Sequence, residues 1–149
     1  MASMLYTNAL KLLMNGGLDL DTNDIRVALL MTNTTADTDQ DSITNITAIG
    51  TLDECDASGY ARVALTGEAV TEDTTDNEAV FDANDASFTG LGGNATRAIQ
   101  GALVYRHVDG TNGNDVPICF VDFTADIPAT ATQIDVPWNA EGIINAAQA

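Results

Sequence analysis

Apolar residues recur at every second position in short runs along this chain, and acidic, Asn- and Gly-rich breaks separate the runs. Successive side chains of a strand point to opposite faces, so such a run lays one face on a core and the other toward water. Ile25, Val27, Leu29 and Met31 show the pattern first. The stretch from Asp53 to Leu65 shows how break and run join. An acidic turn, Asp53-Glu54-Cys55-Asp56, breaks at Ser58-Gly59. Ala61, Val63 and Leu65 then face one way, and Tyr60, Arg62 and Ala64 the other, which predicts a strand over 60–66. Glu78 to Asp82 and Ala86 to Thr89 bracket a turn at Asn84-Asp85. Ala98 to Val108 is the longest run, with Ile99, Leu103 and Tyr105 on one side. Val116 to Phe123 and Gln133 to Trp138 follow. Regularly spaced short strands with turns between them predict an antiparallel β-sandwich or open barrel.

One segment has a different period. Leu5, Ala9, Leu12 and Leu13 fall on one helical face, Ser3 can cap the start, and Asn15-Gly16-Gly17 can end it. The expectation is a mainly β fold with one N-terminal amphipathic helix, Ser3 to Met14. That helix packs on the sheet of its own domain or docks onto a partner. With 149 residues the chain reads as a single domain, 1–149. Residues 1–17 form the helix and its turn, and 18–149 the β domain. A long polar loop lies near 33–51, and loops of that length tend to be functional or mobile.

Charge narrows the partners. There are 22 acidic residues against 5 basic, a net charge of -17, and Lys11 is the single lysine. Nucleic-acid binding needs cations to replace phosphate counterions, so a nucleic-acid partner is not expected. Anionic membrane surfaces are repelled for the same reason. A salty habitat, colloidal stability within a particle or a basic partner would each account for the acidity. Aromatic residues are 5% of the chain while hydrophobic residues are 45%, so the core must rest on Val, Ile, Leu and Ala. No secretory leader and no apolar run of membrane-spanning length is evident, and the expectation is synthesis and folding in a cytoplasm.

Residue types that carry chemistry are present but scattered. Asp19-x-Asp21-x-Asn23 and Asp37-x-Asp39-x-Asp41 have the alternate spacing that begins a calcium loop. Their sixth positions, Asp24 and Ser42, lack the required glycine, and their twelfth, Leu30 and Ala48, lack the bidentate Glu. His107, the only histidine, lies at a strand end beside Arg106 and Asp109, with no nucleophile placed next to it. Gly90-Leu91-Gly92-Gly93-Asn94 has neither the lysine of a phosphate loop nor its strand-to-helix setting, and reads as a flexible connection. The acid pairs Asp53/Glu54, Glu72/Asp73 and Asp82/Asp85 read as solvated rather than catalytic, and Trp138 as core. Cys55 and Cys119 have no zinc spacing, and free thiols are expected, with Cys119 buried in a strand. Asn33, Asn45 and Asn94 begin glycosylation sequons that mean little without secretion. No catalytic, cofactor-binding or metal-binding residue is assigned, and no cofactor is expected.

Several segments together resemble small virion structural proteins of tailed bacteriophages. They are Asp24 to Thr32, Asp53 to Leu65 with its Ser58-Gly59-Tyr60-Ala61-Arg62 core, Ala79 to Asp85, Thr96 to Tyr105 and Pro117 to Phe123. The likeness runs over most of the chain and consists of strand and turn patterns, so it transfers no functional residues. It implies a non-enzymatic capsid decoration (cement) protein on the exterior of the virion head. Its partners would be the major capsid protein and copies of itself, by analogy as trimers. An acidic protein is repelled by packaged DNA, which favours the outside of the shell. A tail or neck component and, from a different class, a carbohydrate-binding β-sandwich are the competing expectations. The helix and the 33–51 loop are the segments expected to contact other subunits.

Overall fold

The computed structural model describes residues 2–38 and 43–147. Its strands are β1 (Ala2–Leu5), β2 (Ile25–Met31), β3 (Val63–Ala64), β4 (Ala69–Asp73), β5 (Glu78–Asp82), β6 (Ala86–Thr89), β7 (Ile99–Arg106), β8 (Val116–Ile127), β9 (Gln133–Val136) and β10 (Ile144–Ala147). One helix, α1 (Thr7–Met14), and a single 3-10 turn, Ile46–Ala48, complete it. Every strand pair is antiparallel. The fold is mainly β, in keeping with a sandwich or open barrel.

The largest sheet has the order β1-β8-β7-β2-β3. Its inner strands are apolar on both faces: of β2 only Arg26 is not fully buried, and Gly101 to Tyr105 of β7 are all buried. The alternation at Ile25–Met31 therefore understates the burial, because Ala28 and Leu30 are covered as well. A two-stranded ribbon, β6-β9, adds the pairs Ala86↔Val136 and Phe88↔Ile134, all four residues buried. Its outer pair is Ser87↔Asp135, where the Ser87 hydroxyl donates to Asp135 at 2.6 Å. Tyr60 stacks on Phe88, with ring centroids 6.0 Å apart, and so joins the ribbon to the Asp53–Leu65 stretch.

The N-terminus corrects an expectation. Residues 2–5 are a strand, not the first turn of a helix, and the helix begins at Thr7. The backbone of β1 is satisfied by β8, from Ala2↔Asp122 to Leu5↔Cys119, and the Tyr6 amide donates to Ile118 O at 2.9 Å. Tyr6 takes the N-cap position with no side-chain cap; it is fully buried, and its hydroxyl donates to Ala36 O at 2.7 Å. The helix does bury its stripe at home: Ala9 is inside, Leu12 and Leu13 pack on the core, and α1 lies against β8.

The 33–51 segment also differs from a free loop. Among its described residues Ala36, Ile43, Ile46 and Ile49 are core. The Ile46 and Thr47 amides donate to Asp115 O and Asn112 O, which ties the 3-10 turn to the β7–β8 connection. The strand expected over 60–66 shrinks to two paired residues. The edge of β2 is shared instead: Met31 N donates to Asp53 O and Cys55 N to Leu29 O, while Val63, Ala64 and Leu65 pair lower down. At the gap between, the Leu29 amide donates to the Tyr60 hydroxyl at 3.1 Å.

Candidate functional site

The acidic turn at Asp53–Asp56 is a set of fasteners rather than a solvated surface. Asp53 sits at φ 48 and its carboxylate accepts from the Asn33 amide at 2.8 Å and from Arg97 Nε at 3.0 Å, with a second guanidinium contact alongside. The Arg97 hydrogen bonds hold its carboxyl below the usual range. Asp56 accepts from the Thr96 amide and hydroxyl, at 2.9 and 2.8 Å, and those bonds lower it too. Thus two residues of one turn grip Thr96-Arg97, just before β7.

Glu54 faces inward. Arg62 meets it in a fork, Nε to Oε1 at 2.7 Å and a terminal nitrogen to Oε2 at 2.6 Å. The Tyr60 hydroxyl donates to the same Oε1 at 2.9 Å. Arg62 also donates to Asn112 Oδ1 at 2.9 Å, lies 5.1 Å above the Tyr105 ring and comes within 3.6 Å of Asp115. Asp115 has no exposed surface; the Val108 amide donates to it at 2.8 Å, and His107 Nδ1 lies 3.4 Å away. The contact with Glu54 raises the Arg62 guanidinium further, and burial raises both tyrosines, so these donors keep their protons. Glu54 is engaged by donors of its own stretch, and Arg62 carries the link onward to Asn112 and Asp115. The network joins the 53–62 stretch to the 107–115 connection.

The other sequence candidates do not converge on it. His107 reaches the network through Asp115 and through an edge-on contact with the Tyr105 ring, and Asp109 instead accepts from the Thr111 amide and Asn114 in its own turn. A proton shared between the neighbouring Asp19 and Asp21 carboxyls would lower Asp19 and raise Asp21, while Asn23 Oδ1 accepts from the Asp19 amide. Asp37 accepts from Gln100; Asp39 and Asp41 lie outside the described residues. Among the described residues no three His, Cys, Asp or Glu side chains stand together as a metal site. The glycine-rich stretch is docked, not loose: Gly92 N donates to Ser58 O, and Ser58 N to Asn94 Oδ1. Gly59, at φ 81, faces Gly90 O so closely that no side chain fits between. Both cysteines are free and buried, and burial pushes the Cys119 thiol up to about 12. Trp138 is half-buried, its indole donating to Asn84 O.

Sequence reasoning found β5 of the most exposed sheet and missed its two neighbours, β4 and β10. The sheet β10-β5-β4 ends at β4 on one side and β10 on the other. Of its residues only Phe81 is buried. One face carries Phe81, Val70 and Ile144 and, further out, Ala79, Glu72 and Ala146; the other carries Val80, Thr71, Asn145 and Asp82. Val70 is an exposed large apolar residue, and Ala69, Ala79, Ala146 and Ala147 are exposed with it. Their alternation is visible in the sequence, but Ala, Asn and Thr blur it.

No family model, no curated protein and no solved structure matches this chain. Among the described residues no helix is long and apolar enough to cross a membrane.

Proposed function

We propose that this chain is a non-enzymatic structural protein of a tailed-phage virion, a decoration protein that binds the outer head shell and neighbouring copies of itself. The β10-β5-β4 sheet carries the reading: a sheet bare on most of both faces and, among the described residues, open at both edges is a surface for docking onto the shell, while copies of the chain meet through other surfaces. The ionic side chains support it, because Asp53, Glu54, Arg62, Arg97 and Asp115 serve to fasten one segment to another. The segment-by-segment resemblance to virion proteins supplies the particle. Such a protein acts by binding the assembled shell better than its free subunits, and so stabilises the shell by mass action.

Cryo-electron microscopy of the particle, with copy number from quantitative mass spectrometry, tests it. The expected result is density on the head exterior and hundreds of copies per virion. Tens of copies with density at the neck or tail would replace the decoration role by a tail role. Absence from purified virions would overturn the reading.

A further inference from the structure

We propose that the β10-β5-β4 sheet is the docking face for a basic, extended polypeptide segment whose Lys or Arg side chains lie along its grooves. This inference does not depend on the virion reading.

Three observations carry it. First, two open hollows along the sheet are lined by small apolar side chains and carboxylates together. One, of about 440 Å³ at the turn between β4 and β5, is lined by Ala79 and Ala146 and by Glu72 and Glu78. The other, of about 360 Å³, is lined by Val80 and Ala140 and by Asp73, Asp82 and Glu141. A Lys or Arg side chain has the matching shape, an aliphatic stem with a cationic head.

Second, the charge is one-sided. No Lys or Arg occurs between Arg62 and Arg97. Arg26, Arg62 and Arg97 are already paired with Asp24, Glu54 and Asp53, so they cannot neutralise the sheet. Among the described residues Glu72, Asp82 and Glu141 have no ion-pair partner; Asp73 accepts only from the Thr75 and Asp76 amides, and Glu78 only from Asn145. A second copy of the chain would bring carboxylates against carboxylates, which electrostatic complementarity forbids. A basic segment removes that conflict.

Third, the outer edge of β4 along Ala69–Asp73 has no neighbouring strand among the described residues. An extended segment can add there as a further strand, and its alternate side chains then reach both faces.

The test is titration of the full chain, labelled with ¹⁵N, with a synthetic peptide of alternating Lys and Val, and with its Glu/Val counterpart. With the Lys peptide, amide shifts are expected on β4, β5, β10 and the turn at 74–77, with none from the Glu peptide. Glu72→Gln combined with Glu78→Gln should weaken binding by about threefold to tenfold. Asp21→Asn combined with Asp126→Asn, an equal charge change on exposed residues elsewhere, should weaken it by less than about twofold. The same spectra show that both variants stay folded. Shifts spread over the acidic turns at 19–24 and 109–115, equal weakening by the two variants, or no saturable binding at low salt would overturn the proposal. So would a dimer formed through β4 before peptide is added.

Discussion

Replacing Arg62 by Ala removes the centre of the buried network. The change deletes a two-pronged bond to Glu54, a bond to Asn112 and the cation facing Asp115. Hydrogen bonds to charged groups contribute about 1.5–3 kcal/mol each, and stripping one partner from a buried pair costs about 3–5 kcal/mol. Arg62 and Glu54 keep 18% and 23% of their side-chain surface exposed, so water recovers part of the loss for Glu54. Asp115, at 0%, has no such recourse and retains only the Val108 amide and His107. The net destabilisation is therefore about 3 kcal/mol. For a chain of this size that lowers Tm by roughly 6–12 °C. Urea unfolding followed by circular dichroism measures it, with Arg26→Ala as the control. The Arg26–Asp24 pair is 33% and 43% exposed, and its loss should cost less than about 1 kcal/mol. Arg62→Lys keeps the charge without the fork and should fall between. If Arg62→Ala costs no more than Arg26→Ala, the network is not a fastener and the reasoning fails.

Gly101→Ala places a methyl group 2.5 Å from both Phe120 Cζ and Val121 O, and Phe120 is itself buried; a loss of about 1–3 kcal/mol in urea unfolding is expected. Neither Cys55 nor Cys119 should react with a disulfide reagent in the native protein, because both are buried and burial raises both thiols, whereas both should react in denaturant. Acid should destabilise in a defined window. Asp24, Asp53 and Asp56 are held below their ordinary value in the folded chain, so the unfolded chain takes up these protons first. Their contribution is whole above about pH 4 and is lost as pH falls through the folded values; Asp53→Asn should flatten part of that fall in urea midpoint.

The strands whose apolar residues alternate cleanly were legible. Ile25–Met31, Glu78–Asp82 and Ala86–Thr89 hold their expected limits. Where a second signal overlaid the first, reading failed. Leu5 and Ala9 fit a helical spacing, yet Leu5 belongs to a strand because β8, far along the chain, satisfies its backbone. Ala69–Asp73 and Ile144–Ala147 are short and contain Ala, Asn and acids, which have weak β preference, so only mutual pairing with β5 reveals them. In the 33–51 segment Ile43, Ile46 and Ile49 form a buried row, but Thr, Asp and Asn around them gave it the composition of a free loop. The turn at Asn84-Asp85 was visible, but not that β5 and β6 part there into different sheets. The network had one readable signal. With so few arginines, any carboxylate that folding buries must share in them, and a sequence cannot say that Arg62 also meets Asn112, 50 residues further on.

The pairing of β1 with β8 also sets the order of assembly. Ala2 lies opposite Asp122, so the first strand made is among the last to find its place. β2 must likewise wait for β7, where Ile25 meets Arg106. During synthesis the early apolar segments have no sheet to join until the β7–β8 hairpin has left the ribosome. Closing such long loops is slow, since their entropy is lost before the contacts form. Until β8 is made the nascent chain carries an unsatisfied edge, and like-charge repulsion between neighbouring acidic chains works against those edges meeting one another.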